Sequence, residues 1–413
     1  MKFFFPDSQD QVDPSFDFTD ETRSSTRIRQ RDDLYAHEIF DKPPYSGILI
    51  SRSMVDINTS ARTRYTLAQR HRFDRLGVRR FFRLHRPGLE DIETMGDCGA
   101  FSYVAEEVPP YTTEDVGEFY ERCGFDYGVS VDHMILSFTA TELLDGVQNP
   151  ELAEWQRRRN ITMDRAEQLF ELHKKRGWRF KPVGLSQGWN PNSYALSVKE
   201  LQDMGYDFIG LGGMVPMKTP EIMLTLKAVE EVRKPGTRLH LFGISRCEHA
   251  PEFQKYGVAS IDSTSPFRKA FKSAKDNYYA PRRTYTAIRI PQVDGNSALK
   301  RKISAGKVNQ DEARKLEQAC LGALERFDQG KCNVEEVVAV IKKYDCLIGR
   351  NEDRDEQYRT VLEDRPWKKC ECNVCKTIGI HTILFRGAER NKRRGFHNLY
   401  VFYHQLLSRI GTC

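Results

Sequence analysis

Short apolar segments alternate with amphipathic stretches along most of the chain. Segments rich in β-branched and aromatic residues follow glycines or turns, and each predicts a buried strand. There are eight of them: residues 45–51, 78–84, 93–101, 127–133, 180–187, 206–213, 238–245 and 258–265. Helix-like stretches separate most of these segments, which predicts an α/β protein built on a closed (β/α)8 TIM barrel. An open doubly wound sheet is the alternative, although no Gly-x-Gly-x-x-Gly follows the first segment.

The pattern changes after residue 290, and the change predicts a division of the chain into three segments. Residues 1–290 form the barrel core with the active site. Residues 291–365 are polar, charged and helix-favouring, which indicates a helical insertion. Residues 366–413 then form a small subdomain near the C-terminus with a closing helix.

The composition indicates a protein with a sizeable hydrophobic core and a mild excess of positive charge. The chain has 413 residues, of which 39% are hydrophobic, and a formal net charge of +6. Residues 267–283 and 386–395 are locally basic, and aromatic residues are interleaved there. Such segments suit contact with nucleic-acid phosphates, but they also suit a solvated charged face.

Cysteine content and apolar runs bear on the compartment. The ten cysteines do not resemble a disulfide framework, and the start of the chain turns acidic after a short apolar run. No apolar run reaches membrane-spanning length. These features predict a cytoplasmic protein of a reducing compartment that does not engage a membrane.

Polar residues stand where five of the predicted strands end, and parallel strands bring such ends to one mouth of a barrel. They are Asp97, Asp132, Gln187, the Gly212–Gly213 pair and Asp262. Carboxylates that converge repel each other, so one can act as a nucleophile while another exchanges protons. A lone aspartate at a strand end more often caps a helix or pairs with an arginine, so the hypothesis depends on convergence. Phe101 and Phe242 stand nearby and could sandwich a flat ligand, although such residues are more often core.

Three cysteines near the C-terminus have the spacing of a metal site. Cys370, Cys372 and Cys375 can share one tetrahedral Zn²⁺ if a fourth donor is supplied. His381, His397 and His404 are the candidates, and His397 opens a helix-like run. A site with four protein ligands leaves no position for water, which predicts a structural Zn²⁺ rather than a catalytic one.

Several motifs together resemble the tRNA-guanine transglycosylase superfamily. They are Asp-x-Gly-Ala-Phe at 97–101, Gly-x-x-Gln-Gly at 184–188, Gly-Gly at 212–213, Asp-x3-Pro-x-Arg at 262–268, and Cys-x-Cys-x2-Cys followed by His-Asn-Leu at 397–399. The resemblance implies that Asp262 is a nucleophile toward the sugar and that Asp97 is the general acid/base. It implies further that Asp132, Gln187, Gly212 and Gly213 hold the incoming base, that Phe101 and Phe242 stack on it, and that His397 completes the zinc site.

The opening residues and the segments around the cysteines are most similar to the DNA-modifying branch of that superfamily. This branch exchanges guanine in DNA for a 7-deazaguanine such as 7-cyano-7-deazaguanine, so the resemblance implies a DNA acceptor and an ATPase partner protein. Three departures are visible. Cys98-Gly99-Ala100 replaces the usual Ser-Gly-Gly, and Thr264 and Ser265 replace an apolar pair. The long insert between Arg268 and Cys370 has no counterpart in ordinary bacterial tRNA enzymes.

Three other functions compete with a DNA-guanine transglycosylase. The first is the same chemistry on tRNA. The second is a non-catalytic, nucleic-acid-binding partner subunit, against which the presence of both Asp97 and Asp262 argues. The third is a metal-dependent hydrolase, which the scarcity of histidines at strand ends disfavours.

Overall fold

A computed structural model of the chain describes residues 1–55, 65–140, 150–350 and 352–411. Parts of all three predicted segments lie outside these ranges: residues 56–64 and 141–149, residue 351, and residues 412–413. The described residues form two compact units. The first unit contains the described residues of Met1–Gln9, Tyr45–Thr264 and Leu406–Cys413. The second unit contains the described residues of Asp10–Pro44 and Ser265–Gln405. The predicted boundaries at residues 290 and 365 stay a prediction.

Eight parallel strands close into a barrel in the first unit, in the order β1 to β8, with β1 pairing to β8. Their bounds are β1 Lys2–Pro6, β2 Gly47–Ser51, β3 Glu93–Asp97, β4 Tyr127–Val129, β5 Lys181–Ser186, β6 Phe208–Leu211, β7 Arg238–Leu241 and β8 Val258–Asp262. The predicted (β/α)8 fold class is therefore confirmed.

One predicted strand is wrong and one observed strand was not predicted, so the predicted count of eight is still correct. The first barrel strand is Lys2–Pro6, whereas residues 78–84 include the end of a helix, Leu67–Phe81. Apolar residues at 78, 81, 82 and 84 suit the inner face of a helix end as well as a strand, and Val78 and Phe81 are buried there. The segment predicted at 45–51 forms the second strand.

Helices follow most strands of the first unit and cover the barrel. They are α1 Arg52–Val55, α2 Leu67–Phe81, α3 Thr113–Cys123, α4 Pro150–Arg176, α5 Pro191–Met204, α6 Thr219–Val232 and α7 Ala250–Lys255. Phe4, Leu49, Met95, Val183 and Phe208, from five different strands, pack together as a buried core. Barrel enzymes place their chemistry at the carboxyl ends of the strands that enclose such a core.

The second unit is mainly helical. Its helices are α8 Ser265–Lys272, α9 Ser297–Ser304, α10 Gln310–Asp328, α11 Val334–Leu347, α12 Asp355–Asp364, α13 Pro366–Lys369, α14 Asn373–Ile378 and most of α15 Gly387–Arg409. Short strands β9 Tyr278–Tyr279, β10 Thr284–Tyr285, β11 Ile288–Arg289 and β12 Leu384–Phe385 form two small sheets. Across the described part of the chain, no helix has both the length and the apolar character needed to cross a membrane.

Candidate active site and metal centre

The predicted polar residues lie at one end of the barrel. Asp97 and Asp262 are the last residues of β3 and β8, and Asp132 and Gln187 follow β4 and β5. All strands are parallel, so these positions share the carboxyl end. A cavity of about 390 Å³ opens at the other end, where it is lined by Lys2, the first residue of β1, and by residues of neighbouring strands, and it is not part of this site.

The Asp97 carboxylate is held from one side. Its Oδ2 accepts hydrogen bonds from Ser51 Oγ at 2.8 Å and from the Gly99 backbone N–H at 3.1 Å. Burial raises the pKa of Asp97 above its ordinary value, and the nearby charge of Asp262 raises it further, while the two hydrogen bonds oppose the shift. The shift favours the protonated form of Asp97, and its ionisation is electrostatically coupled to that of Asp262.

Asp132 is buried at the same mouth and is bound by two side chains. Gln187 Nε2 donates to Asp132 Oδ2 at 2.6 Å, and the Cys98 thiol donates to Asp132 Oδ1 at 3.2 Å. The Gln187 side-chain oxygen in turn accepts the Ile135 N–H at 3.2 Å. Burial, and then the charge of Asp97, raise the pKa of Asp132 to about 7. The structure thus brings Asp97, Asp132 and Gln187 together.

Asp262 is oriented through one oxygen only. Its Oδ1 lies 2.9 Å from the Gly243 backbone nitrogen and 3.1 Å from His240 Nε2. Ser260 Oγ lies 2.7 Å from His240 Nδ1, so a neutral imidazole protonated on Nε2 satisfies both contacts. Among the described residues, nothing donates a hydrogen bond to Asp262 Oδ2. This oxygen is therefore available for chemistry while the other one fixes the carboxylate.

The Gly212–Gly213 pair after β6 leaves space for the Gln187 side chain, but the pair does not offer two unbonded backbone N–H groups. A Cβ on Gly212 would lie 2.4 Å from Gln187 Nε2, so a side chain at this position would displace the glutamine. The Gly212 N–H donates to Ser186 O at 3.0 Å, and its carbonyl accepts the Tyr194 hydroxyl at 2.8 Å. Gly213 adopts a φ of +71° and has no such backbone bond within the described ranges. Only Gly213 is left to offer an N–H.

The two predicted stacking rings differ in their surroundings. Phe242 is partly buried, packs against the barrel core and contacts the His240 ring edge to face, with centroids 4.4 Å apart. Phe101 lies on the turn Ala100–Ser102 and is 58% exposed. In the part of the chain that the structure describes, Phe101 contacts no other ring, so the geometry fixes Phe242 and leaves Phe101 exposed to solvent.

Sequence reasoning missed several residues that shape this mouth. They are Ser51, Tyr103 and His240, none of which was predicted as a site residue. Ser51 closes a strand that is otherwise apolar, which is a weak signal for a polar contact. Tyr103 lies in a turn after β3, where nothing in the sequence distinguishes it from a core aromatic residue.

The cysteine cluster of the second unit has the geometry of a tetrahedral metal site. Ligand atoms of Cys370, Cys372, Cys375 and His397 lie within 4.8 Å of one another. The three sulfurs are 3.5, 3.4 and 3.4 Å from His397 Nδ1. Typical Zn–S and Zn–N bond lengths at tetrahedral angles place sulfur and nitrogen about 3.5 Å apart. The four side chains could therefore hold a metal ion.

The surroundings of His397 favour metal binding through Nδ1. Its Nε2 lies 2.7 Å from the Tyr279 carbonyl, which places the ring proton on Nε2 and leaves the Nδ1 lone pair directed at the sulfurs. Tyr278 stacks on the imidazole with ring centroids 4.1 Å apart. His381 is instead 3.4 Å from Arg390 Nε and packs on Phe18, so its ring belongs to a different cluster.

The basic segment 386–395 is not a phosphate-binding surface, and that interpretation of the sequence is wrong. Arg386, Arg390, Arg393 and Arg394 are all buried. Arg386 Nε donates to Glu21 at 2.6 Å, and Arg394 donates to the carbonyls of Ala270 and Leu384 at 2.6 and 2.7 Å. These guanidinium groups bind carboxylates and backbone carbonyls inside the second unit. By contrast, Arg268, Lys272, Lys275 and Arg282 of the other basic segment are exposed.

The parallel barrel, the acids at its mouth and the Cys3His cluster agree with the class that the motifs resemble, a guanine transglycosylase of the tRNA-guanine transglycosylase superfamily. No protein-family model matches the chain. A DNA-guanine transglycosylase of Salmonella montevideo is 47% identical over 410 residues, which is 98% of this chain and 96% of that protein. The chain therefore belongs to the DNA-guanine transglycosylase family, and it is a pentosyl-transferring enzyme of the DNA-modifying branch.

Proposed function

We propose that this protein replaces guanine in DNA with a 7-deazaguanine, such as 7-cyano-7-deazaguanine, through a covalent aspartyl–DNA intermediate. The observation that carries the proposal is that Asp262 and Asp97 end two parallel strands at the same mouth of the barrel. Asp262 keeps Oδ2 open while Oδ1 is held by Gly243 and His240. The negative charge of Asp262 contributes to the raised pKa of Asp97. Asp262 can therefore attack as a carboxylate while Asp97 carries the proton.

The first step forms the ester. Asp262 Oδ2 attacks C1′ of the deoxyribose, the C1′–N9 bond breaks, and its electron pair leaves with the guanine. Protonated Asp97 supplies a proton to the departing base. Guanine then leaves as a neutral molecule, and Asp262 is joined to the sugar through an acylal-type C–O bond.

The second step reverses the first with a different base. The incoming 7-deazaguanine loses its N9 proton to Asp97, and N9 attacks C1′ as the bond to Asp262 Oδ2 breaks. Two displacements at one carbon retain the configuration of the sugar. Asp97 is protonated again and Asp262 is free, so the site is ready for another cycle.

Base recognition is assigned to the other predicted residues. Asp132 offers carboxylate oxygens to the N1–H and amino group that guanine and 7-deazaguanines share. Gln187 orients Asp132, and Gly213 contributes a backbone N–H. Phe242 forms a fixed apolar face, and exposed Phe101 closes over the base from the opposite side. Gly212 is needed because Gln187 occupies the space that its side chain would fill.

The Cys3His cluster is proposed to bind structural Zn²⁺. Cys370, Cys372, Cys375 and His397 fill four tetrahedral positions, and this ligand set is typical of zinc. When bound, the ion stabilises the fold of the cysteine-containing segment. No step of base exchange uses it.

The acceptor must expose the sugar carbon of the target nucleotide. In a duplex this requires extrusion of the guanosine from the base stack, or action on an unpaired strand. The exposed cations of residues 268–282 are suited to phosphate contacts that position the strand. The ATPase partner implied by the resemblance and the cytoplasmic location stay predictions.

Transfer of labelled guanine tests the proposal and its alternatives. Purified protein is incubated with radiolabelled guanine and mixed-sequence DNA, either single-stranded or duplex, or with tRNA. Label in DNA is expected, and it should be absent with Asp262→Asn and with Asp97→Asn. Label in tRNA alone would favour the tRNA enzyme, and label in neither nucleic acid would favour the non-catalytic partner.

A further inference from the structure

The Cys98 thiol lies between the Asp97 and Asp132 carboxylates at the barrel mouth and takes part in neither displacement. Its sulfur is 3.2 Å from Asp132 Oδ1 and 3.8 Å from Asp97 Oδ1. On the other side, the Tyr103 hydroxyl is 2.9 Å from the same sulfur. Cys98 is fully buried and Tyr103 is 1% exposed, so water does not compete for these contacts.

The directions of these hydrogen bonds follow from the charges. Burial, and then the charges of Asp132 and Asp97, raise the pKa of the Cys98 thiol well above its ordinary value. The sulfur therefore keeps its proton and donates it to a carboxylate oxygen, and the shorter contact selects Asp132. The sulfur lone pair accepts from the Tyr103 hydroxyl, which also lies 3.2 Å from the Asp132 carbonyl oxygen.

We propose that Cys98 and Tyr103 are positioning residues for base recognition, because they hold the Asp132 carboxylate in the orientation that accepts a guanine-type base. This inference rests on the proposed function and specifies how its recognition site works. The cysteine marks a departure of this chain from the usual serine, and Tyr103 extends the hydrogen-bonded chain by one residue.

The lone pairs of Asp132 show why two supporting donors matter. A carboxylate offers two lone pairs on each oxygen. Gln187 occupies one on Oδ2 and Cys98 occupies one on Oδ1. One lone pair on each oxygen is left, and guanine presents two parallel N–H donors that match such an edge. Without the thiol, the carboxylate is held at one oxygen only and can rotate out of register.

The thiol also affects the ionisation of Asp132. The titratable groups that interact electrostatically with Asp132 are Asp97, Cys98, Tyr103 and Tyr120, and the Arg52 guanidinium lies over the rings of Tyr111 and Phe119. Burial and the charge of Asp97 raise the pKa of Asp132, whereas the thiol hydrogen bond lowers it. Loss of the thiol therefore raises this pKa further, and Asp132 becomes protonated at a higher pH, where it no longer accepts two donors.

Three substitutions in the full-length protein test the inference: Cys98→Ala, Cys98→Ser and Tyr103→Phe. The readout is KM for guanine and kcat with saturating DNA over a range of pH. Cys98→Ala is expected to raise KM about tenfold at pH 7, the effect of one hydrogen bond to a charged acceptor, with a smaller change in kcat. The acidic limb of kcat/KM should move to higher pH. Cys98→Ser should restore the native profile, and Tyr103→Phe should shift it in the direction of Cys98→Ala.

Cys123→Ala is the matched control, because Cys123 is also buried in the barrel unit but its sulfur is 4.0 Å from Asp74, away from the strand ends. It should lose stability without a change in KM or pH profile. A Cys98→Ala or Tyr103→Phe protein whose KM and pH profile match the native ones would overturn the inference. If Cys98→Ala does not fold, Tyr103→Phe decides alone. Absence of exchange by the native protein would instead contradict the proposed function.

Discussion

His240 connects a buried serine to the proposed nucleophile. Its Nε2 lies 3.1 Å from Asp262 Oδ1, and its Nδ1 lies 2.7 Å from Ser260 Oγ. The ring is fully buried, and Phe4 and Phe242 contact its faces or edges. Because packing fixes the imidazole, the imidazole in turn fixes which oxygen of Asp262 is presented to the substrate.

Replacement of His240 should therefore slow exchange without removing it. His240→Ala is expected to lower kcat about 100-fold, because a misplaced nucleophile leaves the attack geometry. KM for guanine should change little, since the base contacts other residues. His173→Ala is the control: His173 is also in the barrel unit and bonds a backbone carbonyl, that of Phe180. Equal losses in both variants would contradict a positioning role for His240.

Ionisation of the Asp132 carboxyl should lower the free energy of unfolding as pH rises. Its pKa in the folded protein is about 7, above the ordinary value of 3.8, so the folded state binds the proton more tightly than the unfolded state. The folded state therefore loses stability as pH rises from about 4 to about 7, by up to about 4 kcal/mol in total. The amide of Asp132→Asn does not titrate. The stability of this variant relative to the native protein should therefore be higher at pH 8 than at pH 5.

Denaturant unfolding at the two pH values measures this difference. Asp132→Asn should also abolish guanine exchange, because an amide cannot accept both donors of the base. A stability difference that is the same at pH 5 and pH 8 would show that Asp132 does not titrate in this range.

Loss of a cysteine ligand should affect stability before chemistry. Cys372→Ser is expected to lower the metal content and to lower Tm by about 10 °C or more, since binding of a structural metal contributes directly to folding. Cys346→Ser, at an exposed position in the same unit, is the control and should retain both. Thermal unfolding with metal analysis measures the effect. A Cys372→Ser protein with native stability and no exchange would contradict a structural role for the metal.

The buried arginines should matter for folding and the exposed cations for DNA. Arg394→Met is expected to cost about 3 kcal/mol of unfolding free energy, because it removes the buried hydrogen bonds from the guanidinium to the carbonyls of Ala270 and Leu384. Arg268→Met, at an exposed position, should leave stability within about 0.5 kcal/mol. It should instead weaken DNA binding and reduce its salt dependence. The opposite pattern would restore residues 386–395 as the phosphate-binding surface.

The barrel was predictable because its strands have a recognisable sequence pattern. Buried parallel strands are continuous apolar runs between glycine-rich turns, and seven of the eight observed strands coincide with such runs in an alternating pattern with helices. The strand Lys2–Pro6 was missed because its three phenylalanines stand alone at the start of the chain, before a long segment without a regular pattern. Residues 78–84 were misassigned because a short apolar run does not distinguish a strand from a helix end.

Only the site residues at the carboxyl ends of the predicted strands were predictable from the sequence. Asp97, Asp132, Gln187 and Asp262 stand out because they are polar residues directly after apolar runs. The contacts of Ser51, Tyr103 and His240 depend on which strands are neighbours in the closed barrel, and sequence position does not encode this. Charge alone was misleading at Arg390 and Arg394, since it does not reveal that Glu21 and backbone carbonyls surround them.

The most direct test of the account is to identify the residue that carries the DNA. The native protein and Asp262→Asn are each incubated with a guanine-containing oligonucleotide without an incoming base, denatured, and digested for peptide mass spectrometry. The account predicts a deoxyribose-linked oligonucleotide on the peptide that contains Asp262, and no adduct in the Asp262→Asn protein. An adduct on Asp97, or an adduct that persists in Asp262→Asn, would contradict it.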